Sequence, residues 1–203
     1  MNIEILRAVR YGALAAIAVF AFACIAFGLG AFQSNRTGLT PGGPAVAPFN
    51  LVDQTREPVS ERDLKGKPAV VFFGFTFCPE VCPTTLASLT ALMGRLGSEA
   101  DRFNVFFISV DPERDKPEEL KNYLSSFDPR IHGLTGAPEQ IAKLAQSLGA
   151  FYKRVPMEGG GYTMDHTATV FLVDAEGRFA GTIAYGENKE VALSKLQRLA
   201  NGS

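Results

Sequence analysis

An α/β layer fold is predicted, because strand-like and helix-like segments alternate along the chain. Two near-continuous apolar runs, residues 69–75 and 104–110, have the character of strands buried on both faces. Each is followed by a segment that reads as a helix. Near the C-terminus a hairpin followed by a helix breaks a purely parallel pattern, so a mixed sheet is expected.

The elements follow in order. Residues 49–52 form a short strand candidate ahead of the buried strand at 69–75. Residues 84–96 carry Leu86, Leu89, Met93 and Leu96 at helical spacing. Pro83 is tolerable at the first helical position, where its missing N–H costs nothing. After the strand at 104–110, Asp115-Lys116-Pro117-Glu118 reads as an N-cap with an acid three residues on, opening a helix to about Phe127. Leu134 and Thr135 belong to a short strand. Residues 138–148 place Ile141, Leu144, Ala145 and Leu148 on one helical face, and Gly149 stops that helix. Residues 151–156 and 167–173 are strand candidates. Asp174-Ala175-Glu176-Gly177 is a turn into a strand at 178–184, and residues 189–199 form the closing helix. This order, with a cysteine pair at the first strand-to-helix turn, is that of a thioredoxin-like domain, an analogy of fold that does not name the chemistry.

The predicted organisation has four parts. Residues 11–32 contain no charged residue; at about 1.5 Å per residue they span roughly 33 Å, enough for a bilayer core. Arg7 and Arg10 precede this run and Arg36 follows, a bias that puts residues 1–10 in the cytoplasm and the rest on the far side. The run is longer than the h-region of a cleaved signal peptide, so an uncleaved transmembrane helix is expected, with Cys24 as a passive packing or lipid-facing residue. Residues 33–48, rich in Gly, Pro, Ser and Thr, read as a flexible linker, and residues 49–203 as the folded domain. The absence of an Arg-rich, Ser-rich presequence favours a bacterial inner membrane with the domain in the periplasm over a mitochondrial inner membrane. Formal net charge is −1, and no basic patch appears, which argues against nucleic acid as a partner.

Outside the anchor the only cysteines are Cys78 and Cys82, in Phe75-Thr76-Phe77-Cys78-Pro79-Glu80-Val81-Cys82-Pro83. Thiols at a helix N-terminus are expected to have lowered pKa values. In an exported domain such a pair either trades electrons as a disulfide or holds a soft metal. Two thiolates are an incomplete set for most metals. Of the two histidines, His166 follows a glycine run, Gly159-Gly160-Gly161, and stands at the entrance to a strand expected beside the cysteine turn. A set of two cysteines and one histidine suits Cu(I), whereas structural zinc would ask for a fourth ligand. His132, in Arg130-Ile131-His132-Gly133, has no such support and reads as a surface or core residue. Met157 and Met164 read as packing or loop residues, although their thioethers are soft enough to touch Cu(I).

Three stretches together carry a family resemblance: Cys78-Pro79-Glu80-Val81-Cys82-Pro83, Asp111-Pro112-Glu113-Arg114-Asp115, and Asp165-His166. With the N-terminal anchor, the chain resembles the Sco/SenC family of copper-binding assembly factors of cytochrome c oxidase over about residues 49–199. The resemblance implies that Cys78, Cys82 and His166 ligate one copper, as Cu(I) or Cu(II). It also implies delivery to the copper-centre subunit of the oxidase, with an upstream copper chaperone as a possible donor. No turnover chemistry is required by that role. For the stretch from Asp111 to Asp115 a structural reading comes first: Asp111 ends a strand, Pro112 opens a turn and Asp115 caps a helix.

Two rivals use the same cysteines. A thiol–disulfide oxidoreductase would use Cys78 and Cys82 as attacking and resolving thiols, and could keep a client's copper-ligand cysteines reduced. Against a general thioredoxin stand the three residues between the cysteines and the lack of any proline after Pro156. A thiol peroxidase would need Thr and Pro where Phe75 and Val71 stand, so that site is not made.

Overall fold

The computed structural model describes residues 42–202. The anchor read over residues 11–32, the N-terminal residues 1–10 and the first part of the linker lie outside the described residues. Among the described residues no helix is long and apolar enough to cross a membrane.

Among the described residues, nine strands and four α-helices follow one another in the expected alternation. In chain order the strands are β1 (Asn50–Asp53), β2 (Pro58–Ser60), β3 (Ala69–Gly74), β4 (Asn104–Ser109), β5 (Ile131–Thr135), β6 (Tyr152–Pro156), β7 (Tyr162–His166), β8 (Val170–Val173) and β9 (Phe179–Ile183). The helices are α1 (Val81–Leu96), α2 (Pro117–Leu124), α3 (Pro138–Leu148) and α4 (Lys189–Asn201). Seven strands form one mixed sheet in the order β2-β1-β5-β4-β3-β8-β9, and β6 and β7 form a separate two-stranded sheet.

The register explains where a site can form. β3 runs parallel to β4, with Gly74 opposite Ser109, and antiparallel to β8, with Phe72 opposite Val170. The segment leaving β3, the segment leaving β4 and the segment entering β8 therefore meet at one end of the sheet. This is the carboxyl end of the parallel strands, where open α/β sheets place their ligands. β3 is buried along its whole length, which accounts for its unbroken apolar run. α1 buries Cys82, Thr85, Leu86, Leu89, Leu92, Met93 and Leu96, a stripe of helical period that carries the second cysteine into the core.

Several local expectations are corrected. α1 begins at Val81 rather than at Pro83, with Glu80 at the N-cap and the first intrahelical bond from Thr84 N–H to the Glu80 carbonyl. Cys82 is thus the second helical residue and Pro83 the third, where a proline still forfeits no bond. Asp115 does not cap α2; Lys116 stands there, ahead of Pro117, and the helix ends at Leu124 rather than near Phe127. The span 167–173 is strand only from Val170, and β7, absent from the predicted elements, pairs with β6 before it. Apart from buried Met164, the residues of this hairpin are half-buried or exposed and follow no strict alternation, so next to three glycines they give little apolar signal to read.

The end of the expected linker is bound to the domain. Phe179 N–H donates to the Pro44 carbonyl, Val46 N–H donates to the Gly177 carbonyl, and Val46 is buried. Gly43 is necessary there, because a Cβ would fall 2.2 Å from the Phe179 carbonyl oxygen.

Candidate metal centre

The turn between β3 and α1 places the two cysteines differently. Cys82 is buried and Cys78 half-buried, and neither is in a disulfide. Gly74 makes this possible: a Cβ at that position would stand 2.7 Å from Cys82 Sγ and 2.5 Å from the Phe107 ring. A glycine closing an otherwise apolar strand is the signal that could have marked this close approach. Cys82 N–H donates to Cys78 Sγ at 3.4 Å, so the first sulfur satisfies one of the orphan donors of the α1 N-terminus that Glu80 leaves uncapped.

His166 ends β7 and reaches the same place from the other side. Its Nε2 lies 3.3 Å from Cys82 Sγ, and its Nδ1 lies 3.1 Å from the Thr167 carbonyl oxygen. A carbonyl only accepts, so Nδ1 carries the proton and Nε2 presents its lone pair to the sulfurs. The imidazole is braced edge-on by Phe72 and Phe75, with ring centres 6.0 and 5.8 Å away. The ligand atoms of Cys78, Cys82 and His166 all lie within 4.8 Å of one another. That spacing suits one ion with bonds of about 2.0–2.3 Å.

The electrostatics correct one expectation. Cys82 is not a lowered-pKa thiol: burial pushes it well up, and the neighbouring Cys78 adds to the effect. Desolvation outweighs the helix dipole here. Burial likewise lowers the pKa of His166, keeping its imidazole neutral. Without an ion, the Cys82 thiol proton lies between Sγ and Nε2, and a bound metal would take its place. Two soft sulfurs and one neutral imidazole, with the imidazole's far nitrogen anchored to a carbonyl, form a donor set fitted to Cu(I).

The structure brings the three predicted residues together and leaves the others apart. His132 lies on β5 beside Phe106, outside the cluster. Met164 is packed in the core and Met157 is exposed at the hairpin turn. Gly159, Gly160 and Gly161 form that turn with positive φ angles, but His166 pairs with Tyr152 at the opposite end of the hairpin. The glycine run is not beside the imidazole, so any opening on this side involves the hairpin as a body.

Asp115 does work that the sequence did not disclose. Its buried carboxylate accepts from Thr76 N–H at 3.1 Å, Thr76 Oγ1 at 2.6 Å and Ser109 Oγ at 2.6 Å. It thereby ties the cysteine turn to the end of β4.

Comparison with known proteins agrees with the geometry. The family model described as SCO1/SenC matches residues 38–201. The chain is 36% identical over 159 residues to the mitochondrial SCO1 homolog 1 of Arabidopsis thaliana, covering 77% of this chain and 47% of that protein, so it spans about half that relative's length. Among solved structures it is similar to copper-bound ScoI of Bradyrhizobium japonicum, with a TM-score of 0.71, 47% identity, and coverage of 76% of this chain and 99% of that one. It is also similar to BsSco, described with a disulfide switch and as a member of the Sco family of cytochrome c oxidase assembly proteins. There the TM-score is 0.67, with 27% identity and coverage of 83% and 100%. The mixed α/β, thioredoxin-like architecture expected from the order of elements is the one these neighbours share.

Proposed function

Because the chain belongs to the SCO1/SenC family, we propose that it is a membrane-anchored copper chaperone for cytochrome c oxidase. Its cargo is one copper ion held by Cys78, Cys82 and His166. The observation that carries this reading is the convergence of those three side chains, with Nε2 of His166 aimed at the sulfurs. Residues 11–32 anchor the protein in a bacterial inner membrane, and the linker keeps the domain at the periplasmic surface where the oxidase is assembled. Copper passes by stepwise ligand exchange to the copper-centre subunit. His166 leaves first, since it is carried by a hairpin outside the main sheet.

The reading is tested in copper-limited cells that lack the protein. They are expected to assemble an oxidase deficient in copper, restored by the wild-type chain and not by Cys78→Ser or His166→Ala. Fully metallated oxidase in the deleted cells would overturn the maturation role.

A second reading is favoured by the unequal burial of the cysteines. Half-buried Cys78 is placed to attack a client disulfide, and buried Cys82 to resolve the mixed disulfide. In that role the protein keeps the copper-ligand cysteines of the oxidase subunit reduced.

A further inference from the structure

We propose that Arg114, held by Asp111, is a positioning residue: it clamps the hairpin carrying His166 against the turn carrying the two cysteines. This rests on the copper reading above and assigns a role to the loop between β4 and α2.

The hairpin of β6 and β7 makes no ladder with the seven-stranded sheet. Its seat on the domain is set by side chains, and the loop supplies a connected group of them. Arg114 Nη1 donates to the Tyr162 carbonyl at 3.1 Å, and Tyr162 Oη donates to Asp111 Oδ1 at 2.8 Å. The other Asp111 oxygen accepts from Arg114 Nε, which closes a ring of three residues. On its other side the Arg114 guanidinium lies 4.7 Å from the centre of the Phe77 ring, next to Cys78, and it stands 3.9 Å from the Tyr162 ring. The other strand of the hairpin, β6, carries a solvent-exposed ion pair to the same loop, Arg154 with Glu113 at 3.0 Å.

The same loop is fixed to the cysteine turn through Asp115 and Thr76. One end is therefore rigid with the sulfurs, and the other holds β7 at Tyr162, four residues before His166. The planar fork of arginine suits this task, since it donates along two directions while lying against aromatic rings. Loosening Arg114 leaves both sulfurs in place and lets the imidazole drift from them. Residues that orient a ligand from behind typically change metal affinity by about 10- to 100-fold.

The test is a thermodynamic cycle on the full-length chain in a Cys24→Ser background, with Cu(I) affinity read by competition against a chromophoric chelator. Arg114→Ala is expected to weaken Cu(I) by about 10- to 100-fold. In a His166→Ala background the same change is expected to cost less than about twofold, because its route of action is already gone. Tyr162→Phe, which removes one hydroxyl, is expected to move affinity in the same direction by less, with the same non-additivity. It decides the matter should Arg114→Ala fail to fold. Wild-type affinity in Arg114→Ala, or an equal loss with and without His166, would overturn the clamp. A wild-type chain that takes up no Cu(I) would overturn the copper reading on which the clamp depends.

Discussion

Asp115→Ala is expected to destabilise the folded protein by at least about 3 kcal/mol, measured by urea unfolding. The substitution leaves the Thr76 N–H and the Thr76 and Ser109 hydroxyls facing a void where a carboxylate stood. Each buried donor left unsatisfied costs about 1–3 kcal/mol, against a total stability of about 5–15 kcal/mol for an ordinary domain. The damage falls on the turn that carries Cys78, so copper uptake is expected to fail in the same variant. Burial raises the Asp115 carboxyl above its ordinary value of 3.8, against the lowering effect of the Ser109 and Thr76 hydrogen bonds. Between the unfolded and the folded pKa the native state binds more protons. This group's contribution is therefore greatest below the unfolded value and declines as pH rises through the folded one. The deficit of Asp115→Asn relative to wild type is accordingly expected to be larger near about pH 4 than near about pH 7. An Asp115→Ala protein as stable as wild type would contradict the account of the turn.

Copper uptake is expected to become tighter as pH rises from about 6 to about 8, by up to tenfold per pH unit for each proton released. One such proton comes from Cys82, whose thiol is kept protonated chiefly by burial. His166 adds less to the slope than an ordinary imidazole would, because burial lowers its pKa from the usual value of 6.5. In Cys82→Ser both the affinity and the pH slope are expected to fall, the slope by one proton. Competition titrations at several pH values read both quantities. Affinity that is flat with pH would mean that Cys82 is already a thiolate in the free protein.

The buried strands and α1, α3 and α4 were legible because their apolar residues recur at the right period. The cysteine pair was legible because two thiols flanking a strand-to-helix turn have few uses. His166 could be paired with them only through an assumed topology; the register of Phe72 with Val170 supplies the physical reason. What the sequence concealed lies in long-range polar contacts. Asp115 carries the local signature of a helix cap, yet its carboxylate reaches 39 residues back to Thr76, and no local pattern distinguishes the two uses. Burial also reversed the expectation for Cys82: the helix N-terminus was visible in the sequence, whereas the depth of the sulfur behind Gly74 was not.

The central claim is that Cys78, Cys82 and His166 together hold one copper ion. It is tested most directly by titrating copper into the full-length chain with reduced thiols in the Cys24→Ser background. Stoichiometry and thiolate-to-copper absorption are followed for the parent and for Cys78→Ser, Cys82→Ser and His166→Ala. One tight equivalent in the parent, lost or sharply weakened in all three variants, is the predicted result. Weak binding in the parent, or tight binding unchanged in His166→Ala while the cysteines cycle readily with a thiol reductant, would contradict it and leave the disulfide chemistry as the function of the site.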